Sequence, residues 1–366
     1  MIPVCVPLLG SKELEYITDC VKTNWISSSG KYVTQFEEAF AKYCGCKYGI
    51  STTSGTTAIH LALASIDIQK GDEVIVPAFT MIASVLPIVY LGAKPVLVDA
   101  DPLTGNINAD AIESKITRRT KAILPVHIYG NPCNMDVIGR LAKEHELVVV
   151  EDAAEAHGAT YRGHRTGGIG DVGCFSFYAN KIITCGEGGM IVTNNEEIAE
   201  MAMSLRNLSF PRGKRTYSHD MVGFNYRMTN LQAAIGLAQF ERIDELINRR
   251  KSNARLYDSF LRDRPGIRFF KGEQWANSVC WMYSILIEDD FGITRDEAMN
   301  RLEKRGIESR SFFIPMNQQP VFNKMGLFYD EKYPVAQELS SKGLYLPSSS
   351  GLSAEEIERV CDALVK

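Results

Sequence analysis

The chain has 366 residues, enough for a well-buried core and for two domains. Apolar residues make up 45% of it and charged residues 23%, as in an ordinary globular protein. A formal net charge of −4 excludes any general electrostatic attraction to nucleic acid or to an anionic membrane, so a bound phosphate must be held by local basic or backbone groups.

The opening stretch, MIPVCVPLLGSKELEY, lacks a basic segment leading into a long apolar run and does not read as a signal peptide. Strands are predicted over residues 73–76, 95–98, 122–126, 147–150, 174–177 and 190–193. Each is short, apolar and often β-branched, as expected of strands buried on both faces. The apolar run over 81–91 ends in Gly92 and is too short to span a bilayer. Amphipathic segments such as 134–145 lie between several strands, which argues for a mostly parallel sheet covered by helices. Residues 174–193 break that pattern, since a short glycine-rich loop between two strands suggests a local hairpin. Over 231–261 apolar positions recur at helical spacing amid charges, predicting one long helix that bridges to a second domain. Strands at 281–287 and 309–313 and helices at 295–304 and 354–364 complete a smaller α+β unit. The expected architecture is α/β, with a large domain over 1–245 and a small C-terminal domain over 246–366. Nine cysteines without regular spacing read as free thiols in a reducing, cytoplasmic setting, and no pair or histidine cluster completes a metal site.

Three pieces carry chemistry. Ser54-Gly55-Thr56-Thr57 opens the helix-like AIHLALA, and such a turn presents free backbone N–H groups and a positive dipole end to a phosphate. By itself it is as well explained as an ordinary helix cap. Leu147-Val-Val-Val-Glu-Asp152 ends an apolar strand in two carboxylates, where α/β folds place ligands, although a lone aspartate there more often caps the next helix. Lys181 follows the apolar strand CFSF and precedes GEGGM. A lysine there is poorly explained by packing and well explained as an amine that must reach a bound aldehyde, its nucleophilicity raised by partial desolvation.

Other signals are weaker. Gly168-Ile-Gly-Asp-Val-Gly173 matches the dinucleotide fingerprint, but a polar stretch precedes it and a strand follows it, the reverse of the required context. His127 and His157 follow sheet strands and read most safely as hydrogen-bonded core histidines. The basic segment 211–216, with Arg212 and Arg215, has two readings of equal standing: a loop that binds a nucleotide diphosphate, or a solvated surface loop.

The stretches TSGTTAIHLAL, GDEVIVPAFT, VHIYGNPCNMD, VVVEDAAEAHGA, GDVGCFSFYANKIITCGEGGMIVTN and GFNYRMTNLQAAIGLAQ, in this order, resemble the DegT/DnrJ/EryC1/StrS family of sugar aminotransferases over essentially the whole chain. Within it, NWISSSGKYV, EDAAEA, NKIIT with GEGGM, and IESRSFF are most similar to the members that form GDP-perosamine. The resemblance implies fold type I and pyridoxal 5'-phosphate carried by Lys181, with Asp152 paired to the pyridinium nitrogen and Gly55, Thr56 and Ser176 on the phosphate. It implies that Asn225 reaches the phosphate of a neighbouring subunit, and hence at least a homodimer. Glu155 stands where many relatives have the glutamine that contacts the ring hydroxyl, and Met81 where many have an aromatic that stacks on the ring, with Phe79 nearby as the other candidate cover. Trp25, Ser27 and Arg310 are substrate-site candidates by the same resemblance. The implied reaction takes an amino group from L-glutamate to the C4 ketone of GDP-4-keto-6-deoxy-D-mannose. A UDP- or dTDP-linked 4-keto-6-deoxyhexose is the alternative acceptor. A related sugar dehydratase would carry histidine at 181, and a non-catalytic regulator would need neither Lys181 nor Asp152.

Overall fold

The computed structural model describes residues 1–211, 217–219 and 221–366. Strands β1 (Tyr48–Thr52), β2 (Glu73–Pro77), β3 (Lys94–Val98), β4 (Thr120–Ile123), β5 (Val148–Asp152), β8 (Val172–Ser176) and β9 (Gly189–Thr193) form one seven-stranded sheet in the order β1-β9-β8-β5-β4-β2-β3. β6 (Thr160–Tyr161) and β7 (His164–Arg165) form a small hairpin beside it, joined by β11 (Ala276–Asn277). β9 runs antiparallel to both its neighbours and the other six strands share one direction. The β8–β9 pair is the expected hairpin, with Cys174 opposite Ile191, and it pins the loop that carries Lys181 between two buried strands.

The strand β1 and the two helices before it, α1 (Ser11–Lys22) and α2 (Lys31–Tyr43), are absent from the expectations above. β1 is YGIST, with a glycine and two small polar residues in five positions, so it shows none of the apolar density that marks the other strands. After β1 come α3 (Gly55–Ser65), α4 (Leu86–Tyr90), α5 (Met135–Glu144) and α6 (Glu196–Arg206). Asn134 caps α5 by accepting from the amide of Val137 at 3.4 Å, and the helix buries Met135, Ile138, Leu141 and Ala142 against one face of the sheet.

The long helix expected over 231–261 is instead two, α7 (Asn230–Phe240) and α8 (Ile243–Leu261). Their packing explains the break. α7 is buried on most of its circumference against α1 and α2, whereas α8 starts in the same core with Ile243, Leu246 and Ile247 and ends in the second with Ala254, Tyr257 and Leu261, on the C-terminal helix. Glu241 and Arg242 hold the corner: Glu241 accepts from the hydroxyl of Tyr16 at 2.8 Å, and Arg242 faces Glu245 at 3.1 Å.

A four-stranded antiparallel sheet, β10 (Ile267–Phe269), β12 (Tyr283–Ile287), β14 (Gly343–Leu346) and β13 (Arg310–Ser311), has its own core with α8, α9 (Arg295–Lys304) and α12 (Ala354–Val365). Two shorter helices, α10 (Pro320–Lys324) and α11 (Pro334–Lys342), lie between β13 and β14 in the chain. Ile2 joins this second core and bridges to Ile307. β13 and β12 are shorter than their predicted ranges because Phe312, Phe313 and Trp281 leave the sheet to pack on Tyr129, at ring separations of 4.9, 5.6 and 6.3 Å. Among the described residues no helix is long and apolar enough to cross a membrane.

Candidate active site

Because six strands of the large sheet are parallel, the loops after them gather at one edge. Ser54 and Gly55 follow β1, Thr80, Met81 and Ser84 follow β2, Val126 follows β4, Asp152 and Glu155 end or follow β5, and Ser176 and Lys181 end or follow β8. These residues line one cavity of about 420 Å³, closed on its far side by Trp281, Phe313 and Tyr345. A ligand at the carboxyl ends of parallel strands is the general rule for open α/β sheets.

One wall is the start of α3. The hydroxyl of Ser54 accepts from the amide of Thr57 at 3.2 Å, and its carbonyl accepts from that of Ala58 at 3.0 Å. The amides of Gly55 and Thr56 precede these bonds and belong to the positive end of the helix. Glycine is required at 55 by close approach, since a Cβ there would stand 2.7 Å from Cβ of Ser176. That approach brings the Ser176 hydroxyl beside the helix end, as a site for an oxyanion needs.

On the opposite wall Asp152 is almost fully buried. Ser84 donates to its Oδ2 at 2.7 Å, and the amide of Ala154 donates to Oδ1 at 3.1 Å. Thr80 lies 2.9 Å from Ser84 and extends the chain of hydroxyls. Burial pushes the Asp152 carboxyl above its ordinary value, against the lowering effect of these bonds and of the Lys181 charge.

Lys181 Nζ lies 3.9 Å from Glu155 Oε1 and 3.8 Å from the ring centre of Trp281. Burial lowers the lysine and raises Glu155, whose Oε2 accepts from the amide of Tyr129 at 2.7 Å. The pair is therefore poised between an ion pair and a neutral acid beside a neutral amine, the form in which a lysine is a nucleophile.

The two adjacent carboxylates of β5 have separate roles, as side chains on opposite faces of a strand must. Glu151 is fully buried and accepts from the amides of Gly167, Ile169 and Gly170 at 2.8, 2.8 and 2.6 Å, and bonds to His127 Nε2 at 2.9 Å. The amide of Cys133 donates to His127 Nδ1 at 3.1 Å, which fixes the ring as the Nε2–H tautomer and makes His127 structural. Two amides of the dinucleotide-like segment, Ile169 and Gly170, are thus bound to a protein carboxylate, leaving it nothing with which to cradle a diphosphate. Among the described residues neither ring nitrogen of His157, which sits among Phe40, Phe175 and Phe177, meets a hydrogen-bond partner, and burial pushes it down to about 3. It is not the hydrogen-bonded core histidine expected.

Met81 is half exposed and lines the cavity, whereas Phe79 is buried against Tyr129 and Phe312 away from it. Four candidates are not brought to the cavity within one chain. Asn225 is exposed and accepts from Arg227 Nε at 2.9 Å. Trp25 and Ser27 are exposed, and their carbonyls accept from Asn230 at 2.7 and 2.6 Å. Arg310 is exposed and paired with Glu308. Arg212 and Arg215 lie outside the described residues. Conversely, sequence reading passed over Ser84, Thr80, Trp281 and Tyr345. Ser84 was legible as the one serine inside the apolar run over 81–91; the others carry no local signal.

A primary amine, a buried carboxylate and a helix N-terminus facing one cavity form the donor set that pyridoxal phosphate requires, for its aldehyde, ring nitrogen and phosphate respectively. Among the described residues no cluster of three or more histidine, cysteine or acidic side chains could hold a metal ion.

The chain is 47% identical to the GDP-perosamine synthase of Caulobacter vibrioides, covering 99% of this chain and 97% of that one, and 40% identical to the enzyme of that name from Vibrio cholerae, covering 100% and 98%. Its fold matches the X-ray structure of the aminotransferase from Psychrobacter cryohalolentis with a TM-score of 0.90 at 30% identity, covering 98% and 97%. The model of the DegT/DnrJ/EryC1/StrS aminotransferase family matches residues 7–365, and the chain belongs to that family.

Proposed function

We propose that this chain is a pyridoxal-phosphate-dependent enzyme that moves the amino group of L-glutamate onto the C4 ketone of GDP-4-keto-6-deoxy-D-mannose, giving GDP-perosamine and 2-oxoglutarate. The single observation that carries the transaminase reading is the meeting of Lys181, Asp152 and the start of α3 in one cavity. The choice of acceptor rests on the names of the relatives that match over the full chain.

Bound there, pyridoxal phosphate supplies an electron-accepting ring that carries the amino group between donor and acceptor. Lys181 is the residue that holds its aldehyde and the base that takes and returns the proton at the reacting carbon. Asp152, held by Ser84 and the Ala154 amide, keeps the ring nitrogen protonated. Glu155, fixed by the Tyr129 amide, faces the ring hydroxyl and exchanges its proton with Lys181. Gly55, Thr56 and Ser176 would bind the phosphate, and Met81, which lines the same cavity, would cover the ring. The exposed side chain of Asn225 completes the phosphate site of a second copy of the chain, so the working unit is a homodimer. Trp25, Ser27 and Arg310 belong to the sugar-nucleotide site of that dimer. Nine free cysteines fit a cytoplasmic enzyme.

The acceptor is tested by comparing kcat/KM for GDP-, UDP- and dTDP-linked 4-keto-6-deoxyhexoses with L-glutamate as donor. The GDP sugar is expected to lead by about tenfold or more, the worth of one or two base-specific hydrogen bonds. A preference for a UDP or dTDP sugar would overturn the acceptor and leave the transaminase reading in place.

A further inference from the structure

Trp281 is 2% exposed and lies just before β12, in the sequence half remote from Lys181, yet it touches the lysine twice. Its ring face lies under the amine, with Nζ 3.8 Å from the ring centre. Its indole N–H donates to the carbonyl of Asn180, the residue before Lys181, at 2.8 Å. The same carbonyl accepts from the thiol of Cys5 at 3.3 Å.

The tryptophan is itself fixed. Its amide donates to the carbonyl of Tyr129 at 3.1 Å, and the amide of Tyr129 donates to Glu155, the acid facing Lys181. Its carbonyl accepts from Arg250 Nη1 at 2.5 Å, and Arg250 is buried and bonded also to Ser350 and to the Cys5 sulfur. Trp281 thus ties the C-terminal part of the chain to the lysine and its backbone through the side chain, and to its acid through the main chain and Tyr129.

We propose that Trp281 is the positioning residue of Lys181: its indole N–H anchors the backbone at Asn180 and its ring face receives the ammonium, stabilising the charged lysine in the state in which it carries no cofactor. An ammonium within about 6 Å of an indole face is attracted by the ring quadrupole, most strongly where water is excluded. This interaction opposes burial, which favours the neutral amine. The other groups that face Lys181 are Glu155 at 3.9 Å, the Asp152 carboxylate, the Cys5 thiol, the Arg250 guanidinium and the His157 ring. The acids favour the ammonium, and Arg250 disfavours it. The balance suits a residue that must be a cation when parked and an amine when it attacks.

The importance of this contact for turnover rests on the reading of Lys181 as the cofactor lysine, whereas the contact itself is measurable without cofactor or substrate. The test is the pH dependence of Lys181 acetylation by acetic anhydride in the cofactor-free full chain, followed by mass spectrometry of the peptide that carries it. Tryptophan at 281 is replaced by analogues with increasing ring fluorination, which weaken the π face and keep shape and N–H. The midpoint of the labelling profile is expected to fall stepwise with fluorination, and to fall by about one pH unit in Trp281→Leu. Trp281→Phe, with a weaker face, is expected between the two. Fluorination that leaves the midpoint unmoved would overturn the proposal, and that series decides the matter even if Trp281→Leu fails to fold. A chain that shows the shift but aminates no sugar would keep this inference and sink the functional reading instead.

Discussion

The hydroxyl of Ser84 donates to Oδ2 of Asp152 at 2.7 Å, joining the turn after β2 to the end of β5. Among the described residues the Asp152 carboxylate accepts one other hydrogen bond, from the Ala154 amide. Ser84→Ala is therefore expected to leave the fold intact, to raise the carboxyl further and to weaken cofactor binding by about tenfold, as for loss of one hydrogen bond to a charged group. Titration of the cofactor-free protein with pyridoxal phosphate, followed by absorbance, measures this. An unchanged affinity would mean that Asp152 is held by something other than Ser84.

The approach of α3 to β8 leaves no room for a side chain at 55. Gly55→Ala is expected to cost about 1–3 kcal/mol of stability by overpacking. It is also expected to weaken pyridoxal phosphate by about tenfold by displacing the helix end from the anion. Pyridoxal, which lacks the phosphate, supplies the control. If both ligands lose affinity equally, the helix end is not the phosphate site.

Burial raises Glu155 from 4.5 to about 7. The folded chain then holds this proton more tightly than the unfolded chain does. The associated stability is fully present below about pH 4.5 and is lost as pH rises through about 7. Between those limits the cofactor-free parent is expected to lose melting temperature relative to Glu155→Gln, whose side chain does not titrate. Parallel profiles for the two proteins would contradict a protonated Glu155.

Glu151, next to Asp152 in sequence, satisfies three amides and His127. Glu151→Gln replaces one acceptor oxygen by a donor opposite those groups, and is expected to cost about 2–4 kcal/mol in urea unfolding. The corresponding change at Asp152 should be small in the same assay. The reverse ranking would exchange the structural and functional roles of the two acids.

The parts that were legible in the sequence are those whose signal is local. Asp152 ends an apolar strand and Lys181 follows one, so strand positions alone placed both at the sheet edge. β1 was missed because its small and polar residues owe their burial to α2 and α6, not to their own hydrophobicity. The long helix was misjudged because periodicity reports which face is apolar, not which neighbours it meets, and α7 stays in one core while α8 runs from that core into the second. Trp281 precedes a strand of the second sheet and Tyr345 lies in one, and no local pattern shows that they close a cavity about 100 or more residues away in the chain. Asn225, Trp25, Ser27 and Arg310 are exposed and lie outside the cavity lining, and no local pattern in the sequence distinguishes such positions from those that line it.

If the cavity around Lys181 transfers an amino group from glutamate to a ketone, the nitrogen of ¹⁵N-labelled L-glutamate must appear in the sugar. Purified protein, pyridoxal phosphate and GDP-4-keto-6-deoxy-D-mannose are incubated with the labelled donor, and the nucleotide sugar is followed by mass spectrometry. In the expected product ¹⁵NH2 and hydrogen replace the carbonyl oxygen, with 2-oxoglutarate formed in equal amount and turnover reduced at least about a thousandfold in Lys181→Ala. A deoxygenated product without nitrogen, or ¹⁵N transfer at the parent rate in Lys181→Ala, would contradict that role of the cavity.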